Sequence, residues 1–178
     1  PSHIPVIILS AKAECDEQLE GLEVGADDYI AKPFSMAVVT AKIKNLFRTR
    51  RQAVAYYNQS HEVDIAKVAL NPLDGEFLQR AVSVVEKHLD ECEFSVEDLS
   101  REMFVNRVSL NNKIKALTGG TTRDFIRKIR LDKAAGMLKE GRFSVSEVSA
   151  FVGFNTVSYF AHCFKKQFGC LPSEYKGK

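Results

Sequence analysis

The chain lacks any long apolar segment. The longest such run near its start, residues 4–9, is far shorter than the roughly 20 residues that a membrane-spanning helix requires. No cationic leader precedes this run, so a signal peptide or membrane-embedded segment is not expected in this stretch. The four cysteines are scattered, without a CxxC pair or the spacing of metal ligands, which favours a reduced, cytoplasmic protein and predicts no metal site. No nucleophile, base and orienting group are grouped in the sequence, so we expect no enzymatic activity, cofactor or small-molecule substrate.

Charge is distributed unevenly along the 178 residues. From Leu99 onward the chain carries 15 Lys and Arg against 6 Asp and Glu, a net charge of +9. Residues 1–98 carry 10 against 17, a net charge of −7. Apolar residues make up 45% of the chain, which is typical of folded globular protein. The asymmetry favours two units with different partners, the partner of the second unit being a polyanion. Chance clustering of charges on solvated faces is the alternative.

The first part of the chain alternates between strand and helix patterns. Residues 4–9 form a continuous apolar run, which predicts a parallel strand buried on both faces. A helix is predicted over 15–24, a second strand over 28–31, and another helix from Ser35 to about residue 51. Asp27 and the residue after it are expected in a solvated turn. This order predicts a βαβ arrangement with a parallel sheet.

The segments PVIILSA at 5–11 and GADDYIAKPF at 25–34 carry a specific resemblance. Residues 3–48 resemble the second half of a response-regulator receiver domain. The resemblance implies that Ser10 and Lys32 are the phosphate-binding hydroxyl and lysine, that Tyr29 is the switch aromatic, and that the bond before Pro33 is cis.

The receiver pattern begins at the fourth strand of such a domain. The strands that carry the magnesium-binding acids and the phosphorylated aspartate have no counterpart here, so we expect a fragment of a longer signalling protein that cannot itself accept a phosphate. In the family's sheet order the strand at 4–9 would have an open edge, which predicts self-association through that edge.

The second part of the chain contains an internal repeat. FSVEDLS at 94–100 recurs as FSVSEVS at 143–149, and each copy contains a capping box, formed by Ser95 with Asp98 and by Ser144 with Glu147. In each copy a second helix begins near Asn106 or Thr156. The repeat predicts two helix-turn-helix units, with two ordinary αα-hairpins as the alternative.

Two start signals flank this repeat. Pro72 with Asp74 as a candidate N-cap marks the beginning of the second domain. Thr121 and Thr122 can cap a helix over 124–139, a rod of roughly 24 Å that would hold the two units for successive major grooves.

Residues 74–176 resemble the DNA-binding domain of the AraC/XylS family. The specific segments are DFI at 124–126, VGF at 152–154 and FKKQFG at 164–169. One departure is Phe104, which stands where the first turn of the family usually has a glycine able to adopt a positive φ.

Helical periodicity separates buried from outward positions on the two recognition helices. Leu110, Ile114 and Leu117 on the first, and three phenylalanines on the second, are predicted to be buried. The predicted DNA-binding residues are the outward ones: Arg107, Val108, Asn111, Asn112, Lys115, Thr156, Val157, Ser158, Ala161, His162 and Lys165. The resemblance implies base contacts for seven of them, namely Val108, Asn111, Asn112, Val157, Ser158, Ala161 and His162.

The sequence as a whole predicts a mainly α protein. A partial α/β receiver over 1–48, with two parallel strands and two helices, is followed by a linker over 49–72. An all-α domain over 73–178 then holds two helix-turn-helix units joined by a long linker helix. We expect a sequence-specific transcriptional regulator that binds double-stranded DNA at the output end of a two-component phosphorelay.

Two questions about this regulator stay open. The linker at 46–51 and the overall arrangement of the chain resemble those of hybrid sensor-regulators of Bacteroidetes. This would place the chain at the cytoplasmic end of a membrane-bound sensor kinase. A stand-alone regulator is the alternative. A different class of function, a protein-interaction or dimerisation module, is the alternative to DNA binding.

Overall fold

The computed structural model of the chain describes residues 4–11, 26–60 and 64–175. Its two strands, β1 (Ile7–Ser10) and β2 (Asp28–Ala31), pair in parallel. The register places Ile7 beside Asp28 and Ser10 beside Ala31. This confirms the predicted parallel pairing, while the helix predicted over 15–24 lies outside the described residues.

The expectation that β1 is buried on both faces is wrong. Val6 and Leu9 are 44% and 46% exposed, and within β1 no residue is fully buried. A parallel strand is buried on both faces only where helices or further strands cover it, and within the described part of the chain β1 pairs with β2 alone.

Asp27 is also placed differently from the expected solvated turn. Its side chain is only 5% exposed. One carboxylate oxygen accepts a hydrogen bond from the Val6 backbone N–H at 2.8 Å, and the other accepts from Asn71 Nδ2 at 3.2 Å. The aspartate is buried because donors that are distant in sequence surround it.

A single long helix, α1 (Met36–Gln59), follows the sheet. Ser35 caps it by accepting from the Val38 N–H, and the helix runs eight residues beyond the predicted end at 51. A short helix, α2 (Ile65–Val68), comes next. The predicted division at residue 48 therefore falls inside α1, and Tyr57 and Val68 of the predicted linker lie in a hydrophobic core.

Helix α3 (Pro72–Lys87) begins with a different cap from the one predicted. Asn71 is the N-cap, and its Oδ1 accepts the Asp74 N–H at 2.8 Å. Pro72 occupies the first helical position, where its missing N–H costs nothing. Asp74 is instead 1% exposed and faces inward, because it stands one turn before the apolar residues Phe77 and Leu78.

Five further helices build the two predicted helix-turn-helix units and their connection. The first unit is α4 (Val96–Glu102) with α5 (Arg107–Thr118), and the second is α7 (Val145–Phe151) with α8 (Val157–Phe168). Between them lies α6 (Thr122–Glu140), and a 3₁₀ turn over Pro172–Glu174 follows α8. The 19 residues of α6 make a rod of about 28 Å.

Each unit has a hydrophobic core of its own. The first core gathers residues of α3, α4 and α5 with Phe125 and its neighbours on the first half of α6. The second gathers Phe160 and Phe164 of α8 with Leu131 and Ala134 on the second half of α6. Because α6 contributes to both cores, its length sets how far apart the two units stand. No helix in the described ranges is long and apolar enough to cross a membrane.

Candidate DNA interface

Capping boxes hold the first helix of each unit, as predicted. The Asp98 N–H donates to the Ser95 hydroxyl at 3.3 Å, and the Ser95 N–H donates back to the Asp98 carboxylate at 3.0 Å. Ser144 and Glu147 make the same pair of bonds in the second unit. The hydrogen bond from the Ser95 hydroxyl is the main reason that the pKa of Asp98 is lowered.

The turns between the two helices of each unit share one backbone geometry. Phe104 has φ +54°, and Gly153, its counterpart in the repeat, has φ +68°. Phe104 therefore replaces the usual glycine without changing the conformation of the turn. A side chain fits at position 104 because it projects into solvent, where Phe104 is 87% exposed. At position 153 a Cβ would clash, because it would lie 2.5 Å from the Leu89 carbonyl oxygen.

The first recognition helix, α5, has the predicted buried stripe. Leu110 and Ile114 are fully buried, and Leu117 is 2% exposed. Four of the five predicted DNA-binding residues on this helix are exposed, namely Arg107, Val108, Asn112 and Lys115.

Two of the predicted residues on α5 have intramolecular partners. Asn111 is half-buried, and its Oδ1 accepts from the Thr122 hydroxyl at 2.5 Å. The Arg107 guanidinium lies 2.5 Å from the Glu97 carboxylate, but both side chains are more than half exposed. An ion pair this exposed is weak and exchanges readily for another anion.

The second recognition helix, α8, exposes five of its six predicted DNA-binding residues. Thr156, Val157, Ser158, His162 and Lys165 are exposed, and Ala161 is half-buried. The Thr156 hydroxyl is the N-cap and accepts from the Tyr159 N–H at 3.3 Å. Phe160 and Phe164 are buried as predicted, whereas Phe168, expected in the core, is only partly buried and packs on its edge beside Tyr175.

The electrostatics of the recognition helices differ from those of the neighbouring helices in the DNA-binding half. Helices α4, α6 and α7 each carry an acidic residue in the first turn, whereas α5 and α8, like α1, carry none. The partial positive charge at the N-termini of α5 and α8 therefore has no carboxylate of its own helix to offset it. Helix N-termini of this kind are suited to anions such as phosphate.

Arg130 of α6 joins the two units, a role that the sequence reading missed. Its guanidinium donates to the Gly153 carbonyl at 2.9 Å and to the Glu91 carbonyl at 2.5 Å, so one side chain holds both the turn of the second unit and the loop before the first. Burial lowers the pKa of Arg130. A cleft of about 370 Å³ lies beside it and is bordered by Ser95 of one unit and Tyr159 of the other.

The buried pair formed by Asp74 and Lys113 was also missed. The two side chains are 1% and 7% exposed, and the Lys113 ammonium donates to the Asp74 carboxylate. A signal was present in the sequence, because each residue stands at an apolar-stripe position of its helix: Asp74 three residues before Phe77, and Lys113 three residues after Leu110.

The receiver-like residues meet at one end of the two-stranded sheet. Ser10 ends β1 and Lys32 follows β2, and the Lys32 N–H donates to the Ser10 carbonyl at 2.7 Å. The bond between Lys32 and Pro33 is cis, as the resemblance implied. Tyr29 lies in β2 beside Ile8 and is half-buried. Across the described ranges no group of three or more His, Cys, Asp or Glu side chains could hold a metal ion.

Comparisons with known proteins agree with this architecture. The family described as "Helix-turn-helix domain" matches residues 99–178. The C-terminal domain of AraT, a response regulator from Geobacillus stearothermophilus, is 30% identical with a TM-score of 0.51, over 56% of this chain and 83% of that one. The DNA-binding domain of AdpA, a global transcriptional factor solved with a target DNA, is 27% identical with a TM-score of 0.51, over 56% of this chain and 88% of that one.

A longer relative matches almost the whole chain. Histidine kinase P4 of Formosa agariphila is 36% identical over 177 residues, which are 99% of this chain and 13% of that protein. Two helix-turn-helix units with exposed recognition helices define a DNA-binding transcriptional regulator. Residues 99–178 form an AraC-type helix-turn-helix domain, similar to the C-terminal domain of a response regulator.

Proposed function

We propose that the chain reads a bipartite duplex site, with α5 and α8 entering successive major grooves. The observation that carries this proposal is that both helices expose a polar face beside an N-terminus without a first-turn carboxylate. In helix-turn-helix proteins the N-terminal residues of the recognition helix contact base edges.

The predicted residues divide into two roles in this proposal. Asn112 offers the amide that pairs bidentately with adenine, and the exposed Val108 can pack on a thymine methyl group. Asn111 contributes its amide NH₂ while its oxygen stays bonded to Thr122. On α8 the base contacts come from Val157, Ser158, Ala161 and His162. Phosphate contacts come from Arg107, Lys115, Thr156 and Lys165.

Two variants separate these roles when they are titrated against two duplexes. One duplex is enriched from a random-sequence library by the unaltered chain, and the other has the same bases in scrambled order. Asn112→Ala should cost about 1–3 kcal/mol of binding free energy on the enriched duplex and little on the scrambled one. Lys165→Ala should weaken both equally and reduce the salt slope by about 1.

The matched controls for this titration are exposed residues of α1. Asn45→Ala and Lys44→Ala remove the same chemical groups from exposed positions outside the recognition helices and should leave both affinities unchanged. If Asn112→Ala weakens both duplexes equally, α5 does not read sequence.

We further propose that the chain is the output end of a hybrid sensor kinase that works in the cytoplasm, where its DNA partner is found. The match of 99% of this chain to 13% of a histidine kinase supports a longer parent protein. In that parent, the carboxyl ends of β1 and β2 would present Ser10 and Lys32 to a phosphoryl group. The test is transfer of labelled phosphate from the kinase part of the full-length protein to a receiver aspartate, with Lys32→Ala as the variant expected to impair signalling to DNA.

Self-association through β1 is a second candidate function, favoured by the exposed side chains of that strand and by its pairing with β2 alone among the described residues. Leu9 is 46% exposed in β1, and Leu73 at the start of α3 is equally exposed. We expect a dimer mass by light scattering at tens of micromolar, lost in Leu9→Lys and retained in Leu73→Lys. A monomer mass for the unaltered chain would refute this proposal.

A further inference from the structure

A network of charged side chains connects the receiver-like sheet to the first recognition helix. It begins at Asp27, immediately before β2. Its Oδ1 lies 3.5 Å from the Arg50 guanidinium, and the same oxygen accepts from Asn71, the N-cap of α3. The start of β2 is therefore bonded to both α1 and α3.

Arg50 lies in the middle of this network. Its Nη2 lies 3.5 Å from Asp27 and 3.7 Å from Oδ2 of Asp74, and its side chain is only 14% exposed. One guanidinium therefore faces two carboxylates of very low exposure, one before β2 and one in α3. Pairs removed from solvent are screened little by salt, so the three groups constrain one another more than a surface pair would.

The network ends at Lys113 of α5. Asp74 uses its other oxygen, Oδ1, to accept from the Lys113 ammonium, which is itself buried beside the Phe77 ring at 5.9 Å. Lys113 directly follows Asn112, the proposed adenine reader, and projects from the buried side of the same helix. Asp74 is therefore bonded to the helix that carries the reader.

A second contact joins the same two helices independently of charge. Gly119 ends α5 with φ +75°, and a Cβ at this position would lie 2.6 Å from Val54 Cγ1 of α1. Val54 stands one helical turn after Arg50. Helix α1 therefore packs against the C-terminus of α5, and it is connected to the middle of α5 through Asp74.

We propose that Asp27, Arg50 and Asp74 are positioning residues for DNA recognition: through Lys113 they let the receiver part of the chain set the placement of α5. The proposal rests on the DNA-reading role proposed for α5. The reader face of α5 is exposed while the network is formed, so the network does not cover that face.

The test compares two network variants with two neighbouring variants that lose the same charge. Asp27→Asn and Arg50→Gln interrupt the network. Asp28→Asn breaks a different ion pair to α1, that with Lys42 at 2.6 Å, and Arg51→Gln removes an exposed arginine. Each variant is titrated against the library-enriched and scrambled duplexes, at a temperature where its unfolding curve shows it fully folded.

The expected result is a loss of discrimination in the network variants only. Asp27→Asn and Arg50→Gln should each lower the ratio of specific to scrambled affinity roughly fivefold, and the double variant should lose no more than either single one. Arg50→Lys, which keeps the charge, should restore part of the ratio. A purely structural role would lower the melting temperature and leave the ratio unchanged, which would overturn the proposal, as would equal losses in the two neighbouring variants.

If the random-sequence library yields no enriched duplex, the proposed sequence reading is refuted, but the positioning role can still be tested. Amide hydrogen exchange in the absence of DNA measures the same coupling. Asp27→Asn should raise exchange in α5 roughly fivefold and leave α8, the internal control, unchanged. Unchanged exchange in α5, or an equal rise in both helices, would overturn the positioning role.

Discussion

Gly153→Ala is the perturbation whose cost follows most directly from the geometry of the two turns. A non-glycine residue in the left-handed region costs roughly 1–2 kcal/mol. The new Cβ would also lie 2.5 Å from the Leu89 carbonyl oxygen and 3.0 Å from the Arg130 guanidinium, so the turn must move. Movement weakens the bond from Arg130 to the Gly153 carbonyl, a bond to a charged donor worth about 1.5–3 kcal/mol. We expect a total loss of about 3 kcal/mol or more in the free energy of unfolding.

Phe104→Ala is the matched control because it places the same residue at the equivalent turn of the other unit. The φ of +54° is already adopted by a residue with a Cβ, so no new backbone strain arises. Only the exposed contact with Arg80, 5.5 Å from the ring, is lost, at about 0.5–1 kcal/mol. Urea unfolding followed by circular dichroism measures both variants. A loss below about 1 kcal/mol for Gly153→Ala, or equal losses for the two, would refute the steric argument.

Two further predictions concern buried or half-buried charges. The Glu91 carboxylate is hydrogen-bonded to His88 Nδ1 at 2.8 Å, the Glu102 carboxylate lies 2.5 Å from Nε2, and both raise the pKa of His88. The protonated imidazole therefore stabilises the fold fully below the unfolded pKa of about 6.5, and that stability is lost as pH rises through the raised folded pKa. His88→Gln should flatten the urea midpoint against pH across this range, and an unchanged slope would contradict the assignment. Lys113→Met leaves the Asp74 charge buried without its ammonium and should cost about 3–5 kcal/mol, whereas adding Asp74→Leu should recover much of the loss in the same urea assay.

The helices of the DNA-binding half were predictable because their signals are local. Ser95 and Ser144 each stand three residues before an acid, and the caps and apolar stripes of α5 and α8 are read within one or two helical turns. The same local rules failed for Asp74. A proline followed by an aspartate resembles a helix start, but Asn71 competes for the cap position and an aspartate facing the apolar stripe is buried when a lysine faces it.

Exposure of the sheet was not predictable from β1 alone. A run of apolar residues indicates that a strand is suited to burial. Whether it is buried depends on helices or strands from other segments that pack over it. Leu9 is 46% exposed for that reason. Asp27 shows the converse: a turn aspartate is buried because Arg50 and Asn71, 23 and 44 residues away, converge on it.

Helical periodicity and capping depend on residues three or four positions apart, so the repeat of two helix-turn-helix units and the buried faces of the two recognition helices could be predicted from local patterns. Which turn tolerates a side chain could not, since the difference between Phe104 and Gly153 depends on Leu89 and Arg130, which lie 64 and 23 residues from Gly153. The connection of the sheet to α5 through Arg50 and Asp74 was likewise visible only in the folded chain. Partners of buried charges are chosen by proximity in space, and no spacing along the chain records that proximity.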